Sequence, residues 1–212
     1  MTFEITDDDQ GESAKVLGIV GSLRNSSYNG ALLNAISNSF PGWVKFESFD
    51  IGNVPHYNQD VEESEIPEVV RELKQKVQDA DVVVIASPEY NGSVSGVLKD
   101  ALDWASRPHG GGSFEGKPVA MMSAVSGRRG GRSVLNHLSL IVDYLGGKIV
   151  GEPLLVQLAP EKFDGSGALA DSETSAKIKE LVGKMLESLP QNKIKQEVVE
   201  EALIVEPLET AQ

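Results

Sequence analysis

An open α/β sandwich, with five parallel strands and helices on both faces, is the fold class predicted from three observations. Short apolar, β-branched runs alternate with segments of helical periodicity through the middle of the chain. The strongest run, Asp81–Ser87 (DVVVIAS), is apolar on both faces, as a central strand of a parallel sheet must be. The length, 212 residues, suits one domain of moderate size with its own core.

The elements follow in order. Lys15–Val20 (KVLGIV) is a first buried strand ending at Gly21, and Ala31–Ile36 has apolar residues at helical spacing. Val44–Phe49 alternates like a half-buried strand. Pro67–Ala80 gathers Val69, Val70, Leu73 and Val77 on one helical face. After the central strand, Val94–Ala105 is a helix ending before Pro108, and Pro118–Ala124 is another buried strand. Arg132–Leu145 is a helix stopped by Gly146–Gly147. Lys148–Val156 is a last, interrupted strand, and Ser172–Leu189 is a closing helix capped by Ser172 or Asp171 and ended by Pro190. Five strands alternating with five helices, joined by right-handed crossovers, make a flavodoxin-like three-layer sandwich of strand order 2-1-3-4-5. There is no internal repeat, and Gly110–Gly112 is a short loop within the domain.

Composition excludes several functions. With no cysteine there is no disulfide, thiolate metal site or cysteine nucleophile, and the three scattered histidines, His56, His109 and His137, argue against a zinc cluster. The net charge of −13 argues against nucleic acid or an anionic membrane as partner. That charge is unevenly placed. Residues 1–13 hold five acids and no base, 190–212 hold five acids against two lysines, and 14–189 hold 22 acids against 17 bases. The expected organisation is an acidic extension over 1–14, a domain over 15–189 and an acidic tail over 190–212. Most of that tail reads as disordered by composition; the alternative is that Val198, Leu203 and Ile204 pack on a neighbouring subunit. The acidic start does not look like a leader peptide and no apolar run approaches the roughly 18 residues of a membrane span, so the expected compartment is cytoplasmic.

In this architecture ligands bind beyond the carboxyl ends of the strands. Three loops leave those ends. After the first strand, Gly21 to Asn29 offers hydroxyls, Arg24 and a run of backbone N–H groups entering a helix, as a phosphate requires; Ser and Asn also serve simply as turn and cap residues. After the third, Ser87 to Ser95 holds Pro88 and the tight-turn pair Asn91-Gly92, a stiff turn that projects Tyr90 toward a flat ligand. After the fourth, Ser123 to Ser133 combines glycines with Arg128, Arg129 and Arg132. Four of the six arginines fall in or beside two of these loops, which suits bidentate phosphate recognition better than a generally solvated surface. No P-loop, Gly-x-Gly-x-x-Gly turn or Gly-x-Ser-x-Gly elbow is present. The sequons at Asn25 and Asn91 are chance matches in a chain without a secretory signal.

Together the three loops resemble one family. Gly-Ser-Leu-Arg-x-x-Ser-x-Asn (Gly21 to Asn29) is similar to the phosphate loop of NADPH-dependent FMN reductases, which include NAD(P)H:quinone, azo and chromate reductases. Ser-Pro-Glu-Tyr-Asn (Ser87 to Asn91), followed by Leu98 to Pro108, resembles its second signature, and Ser126-Gly-Arg with Gly130-Gly-Arg-Ser133 its third. The similarity runs from Lys15 to Leu189 and looks closest to NADPH:quinone oxidoreductases. The resemblance implies FMN, with Ser22, Arg24, Ser27 and Asn29 at its phosphate and Ser26 and Tyr28 adjacent. Pro88, Glu89, Tyr90, Asn91 and Gly92 would run along the ribityl chain and ring, and Ser126, Gly127 and Arg128 would meet the pyrimidine edge. Two departures stand out: the Arg128-Arg129 pair in a loop that is commonly glycine-rich, and Ser95 where many members carry proline, a difference expected to matter little.

The activity so implied is hydride transfer from NADPH or NADH to FMN, then reduction of a quinone, with azo compounds, chromate or free flavin as other acceptors, in a homodimer or homotetramer. No catalytic acid or base side chain and no metal are expected. Two other classes remain open at the level of sequence: a flavodoxin-like single-electron carrier, whose acidic surface would suit basic partners, and an interaction protein that kept only the fold.

Overall fold

β3 (Val82–Ala86), with every residue buried, divides the molecule into two cores. The computed structural model describes residues 13–108, 110–190 and 193; His109 and nearly all of the two acidic ends, including Val198, Leu203 and Ile204, lie outside the described residues. Val82, Val84 and Ala86 face α1 (Tyr28–Ser37) and α7 (Ser172–Glu187). Val83 and Ile85 face α3 (Glu68–Asp79), α4 (Gly96–Ala105) and α5 (Arg132–Tyr144). A strand with apolar side chains on both faces is stable only when both are covered, so the DVVVIAS run dictates helices on both sides.

The sheet is parallel, in the order β2-β1-β3-β4-β5, with β1 at Lys15–Val20, β2 at Lys45–Phe49, β4 at Pro118–Ala124 and β5 at Lys148–Ile149. The expected flavodoxin-like order is the observed one. The last strand is interrupted, as its sequence suggests. β5 pairs with the foot of β4 through Pro118↔Lys148 and Val119↔Ile149, and β6 (Leu154–Val156) pairs with its upper end through Met122, Ser123 and Ala124. Between them Gly151 takes a left-handed backbone (φ 66°), which breaks the ladder.

Two short helices, α2 (Gln59–Ser64) and α6 (Ala159–Lys162), and a 3-10 turn over Ile51–Asn53 add to the predicted elements. α2 buries none of its residues, so it leaves no apolar periodicity to read. α1 begins at Tyr28, earlier than its apolar stripe, because the Ser27 hydroxyl accepts from the Gly30 N–H.

For α7 the two candidate caps resolve to Asp171. Its Oδ2 accepts from the Thr174 N–H at 2.8 Å and hydroxyl at 2.6 Å, and its Oδ1 accepts from Lys162 Nζ at 2.7 Å. The Lys162 bond, followed by the Thr174 bonds, lowers the Asp171 pKa to about 2. A carboxyl whose pKa is depressed by folding stabilises the fold above its unfolded pKa and loses that contribution as pH falls through the folded value. The melting temperature of Asp171→Asn should therefore lie below that of the unsubstituted protein by a constant margin above about pH 4, and the margin should narrow as pH approaches 2. Thermal unfolding followed by circular dichroism across that range measures it.

Candidate functional site

Because all strands are parallel, the chain leaves β1, β3 and β4 at the same end of the sheet, and three loops meet there. The first is Gly21–Ser27. Gly21 is fixed on both sides: its N–H donates to the Ala86 carbonyl at 2.8 Å and its carbonyl accepts from the Ser95 hydroxyl at 2.6 Å. Leu23, Arg24, Asn25 and Ser26 are exposed, Ser22 and Ser27 are half-buried, and Ser22 Oγ accepts from the Arg24 N–H at 3.4 Å. The loop runs into the first turn of α1, where the N–H groups of Tyr28 and Asn29 have no acceptor within the helix. Tyr28 packs its ring on Phe163 at 5.8 Å.

Asn29 is buried, and its side chain bonds to β4 through both of its polar atoms. Its Nδ2 donates to the Ala124 carbonyl at 2.9 Å and its Oδ1 accepts from the Ala124 N–H at 2.8 Å. The residue pins the start of α1 to the upper end of β4.

The second loop follows β3. Tyr90 and Ser93 exchange backbone hydrogen bonds at 3.0 Å in both directions, around Asn91 (φ 52°) and Gly92 (φ 76°). Two consecutive left-handed residues make a tight hairpin turn, which is why Asn-Gly stands there. The turn leaves Tyr90 about half exposed. His137, on α5, reaches the Ser93 hydroxyl through Nδ1 at 3.1 Å. Glu89 points toward the third loop, where its Oε2 accepts from the N–H groups of Gly131 at 2.6 Å and Val134 at 3.3 Å. Gly131, the residue before α5, has no side chain to cap the helix, so Glu89 supplies the cap from a different loop. Glu89 thus joins two loops through Oε2.

The third loop exposes Ser126, Gly127, Arg128 and Arg129, with Arg132 exposed at the start of α5. Together with Arg24 these bring four guanidinium groups to one end of an otherwise acidic molecule. The hollow at the opposite end, lined by Lys15, Lys45, Glu47, Lys76 and Asp79, already pairs Lys76 with Glu47 at 2.6 Å.

Ser95 corrects an expectation. Its hydroxyl donates to Gly21 and accepts from the Leu98 N–H at 3.3 Å, so it caps α4 while tethering the first loop; proline could do neither. A serine three residues before a helical leucine is itself a capping signal that the sequence offers. Gln157, Leu158 and His137, by contrast, carry no local signal, because their partners lie 27 to 44 residues away or are backbone atoms of another loop.

Replacing Asn29 with leucine would leave both polar atoms of buried Ala124 unpaired, an expected loss of about 2–4 kcal/mol. Urea unfolding of the ligand-free protein tests this.

Residues 14–160 match the family described as NADPH-dependent FMN reductase. The chain is 38% identical over 179 residues to an NAD(P)H-dependent FMN reductase of Pseudomonas aeruginosa, a match covering 84% of this chain and 94% of that protein. It is 41% identical over 173 residues to an NAD(P)H:quinone oxidoreductase of Solanum tuberosum, covering 78% and 87%. Among solved structures, the flavoenzyme NAD(P)H:(acceptor) oxidoreductase of Paracoccus denitrificans aligns with a TM-score of 0.74 at 30% identity, over 84% of this chain and 100% of that one.

Proposed function

Because the chain belongs to the NADPH-dependent FMN reductase family, we propose that the three-loop cradle holds FMN and that its physiological acceptor is a quinone. The protein is an FMN-dependent NAD(P)H oxidoreductase. The observation that carries the site assignment is a division of labour among the loops. Asn29, Glu89 and Ser95 hold the loops together, while Ser22, Arg24, Ser26, Ser126, Gly127 and Arg128 are left at their open faces.

The donor set fits the cofactor. The hydroxyls of Ser22, Ser26 and Ser27, the Arg24 guanidinium and the first N–H groups of α1 at Tyr28 and Asn29 suit a dianionic phosphate. The stiff turn of Pro88, Glu89, Tyr90, Asn91 and Gly92 offers backbone and an aromatic edge to a flat ring, and the third loop offers backbone N–H groups at Ser126, Gly127 and Arg128. When bound, FMN supplies the redox chemistry, taking a hydride from NAD(P)H and giving two electrons to the acceptor. The side chains bind and orient, and no acid or base among them is assigned a proton to carry. Arg128 and Arg129 are the groups we assign to the phosphates of the nicotinamide nucleotide, and the exposed faces of the second and third loops to a planar quinone.

We further place this enzyme in the cytoplasm, where reduced nicotinamide nucleotide is supplied; among the described residues no helix is long and apolar enough to cross a membrane. A homodimer or homotetramer is supported by an apolar patch on α5 and β5, where Leu140, Tyr144 and Ile149 are 68%, 83% and 41% exposed.

Arg24→Ala should weaken FMN binding about 10- to 100-fold, the loss of a charge-assisted bond, read by flavin fluorescence on titrating apoprotein. Arg128→Ala and Arg129→Ala should raise the KM for NADPH with kcat little changed; unchanged KM in both would remove their assignment. Anaerobic NADPH should bleach the bound flavin rapidly, whereas an electron carrier would leave its absorbance standing.

A further inference from the structure

The third loop is held from behind by the turn between β6 and α6. Three of its carbonyls are taken by that turn: Val125 accepts from the Ala159 N–H at 3.0 Å, Gly127 from the Leu158 N–H at 3.3 Å, and Gly130 from Gln157 Nε2 at 3.0 Å. Leu158 adopts a left-handed backbone (φ 53°, ψ 40°), a conformation that branched residues resist. That geometry lets two successive N–H groups, those of Leu158 and Ala159, reach separate carbonyls of the same loop.

In a trans peptide the N–H points opposite to the preceding carbonyl. Turning the carbonyls of Val125, Gly127 and Gly130 toward the Gln157–Ala159 turn therefore turns the N–H groups of Ser126, Arg128 and Gly131 away from it. The third of these shows where that direction leads, since the Gly131 N–H meets Glu89 of the second loop at 2.6 Å. The Gly130–Gly131 peptide is held at both polar ends, by Gln157 behind and Glu89 in front.

We infer that the Gln157–Ala159 turn positions the third loop: Leu158 and Ala159 direct the Arg128 and Ser126 N–H groups to the open face of the site as donors for negative charge on the bound ligand, and Gln157 is the positioning side chain that anchors the same loop at the Gly130–Gly131 peptide. The inference deepens the FMN reading and rests on it for the identity of the ligand. Preorganised donors favour the more negatively charged form of a ligand over its neutral form, and reduction adds negative charge to the pyrimidine edge of FMN.

The test uses the full chain and Gln157→Leu, which keeps the side-chain bulk and removes the donor. In ligand-free protein, amide hydrogen exchange over residues 125–131 should be at least fivefold faster in the variant. The dissociation constant should then rise at least fivefold more for two-electron-reduced FMN than for oxidised FMN. A residue that merely supported the fold would weaken both forms alike. Equal exchange rates would overturn the inference whether or not FMN binds, and faster exchange with equal losses for both forms would overturn the donor role. Failure of the unsubstituted protein to take up FMN would instead defeat the cofactor reading and leave the exchange result to decide the positioning of the loop.

Discussion

Where a parallel sheet stops, its backbone does not stop needing partners. Every carbonyl and N–H just beyond the last ladder bond must find a partner or lose about 1–3 kcal/mol, in a molecule whose whole stability is expected near 5–15 kcal/mol. This chain meets that constraint at the carboxyl ends of its strands with four polar side chains from other segments. Asn29 closes the end of β4, Ser95 takes the carbonyl of Gly21, Glu89 takes the amides that open α5, and Gln157 takes the carbonyl of Gly130. Each bond ties one of the loops at the strand ends to a segment distant in sequence, so satisfying the backbone also rigidifies the site.

The consequence is an inversion of roles that residue chemistry alone would not suggest. Asn29 and Glu89, two polar side chains of the three motifs, bond to distant backbone of the protein itself. What faces outward is serine hydroxyls, glycine backbone, and arginines on exposed loops. Such a surface binds through many modest donors in fixed places, and the cost of fixing them is met during folding.

The charge distribution has the same local character. A chain of net charge −13 brings four of its six arginines to one end of the sheet. An anionic cofactor and an anionic co-substrate would there meet a positive field that the total charge conceals.

The architecture was legible from sequence because its causes are local. The two-faced run at Asp81–Ser87 demands a central strand, the alternation of periods demands crossovers, and the loops fall at the strand ends by topology. The three candidate loops were legible for the same reason, since each is a contiguous motif. α2 was not, because a helix with no buried residue leaves no period. Nor were the bonds of Asn29 and Glu89, the Ser95 tether to Gly21 or the bond of Gln157, because their partners lie 95, 42, 74 and 27 positions away. By itself the sequence determined which residue types stand at the mouth of the sheet. Only the tertiary structure decided which of them hold the loops and which stand exposed, because a hydrogen bond is chosen by the atoms that folding brings within reach.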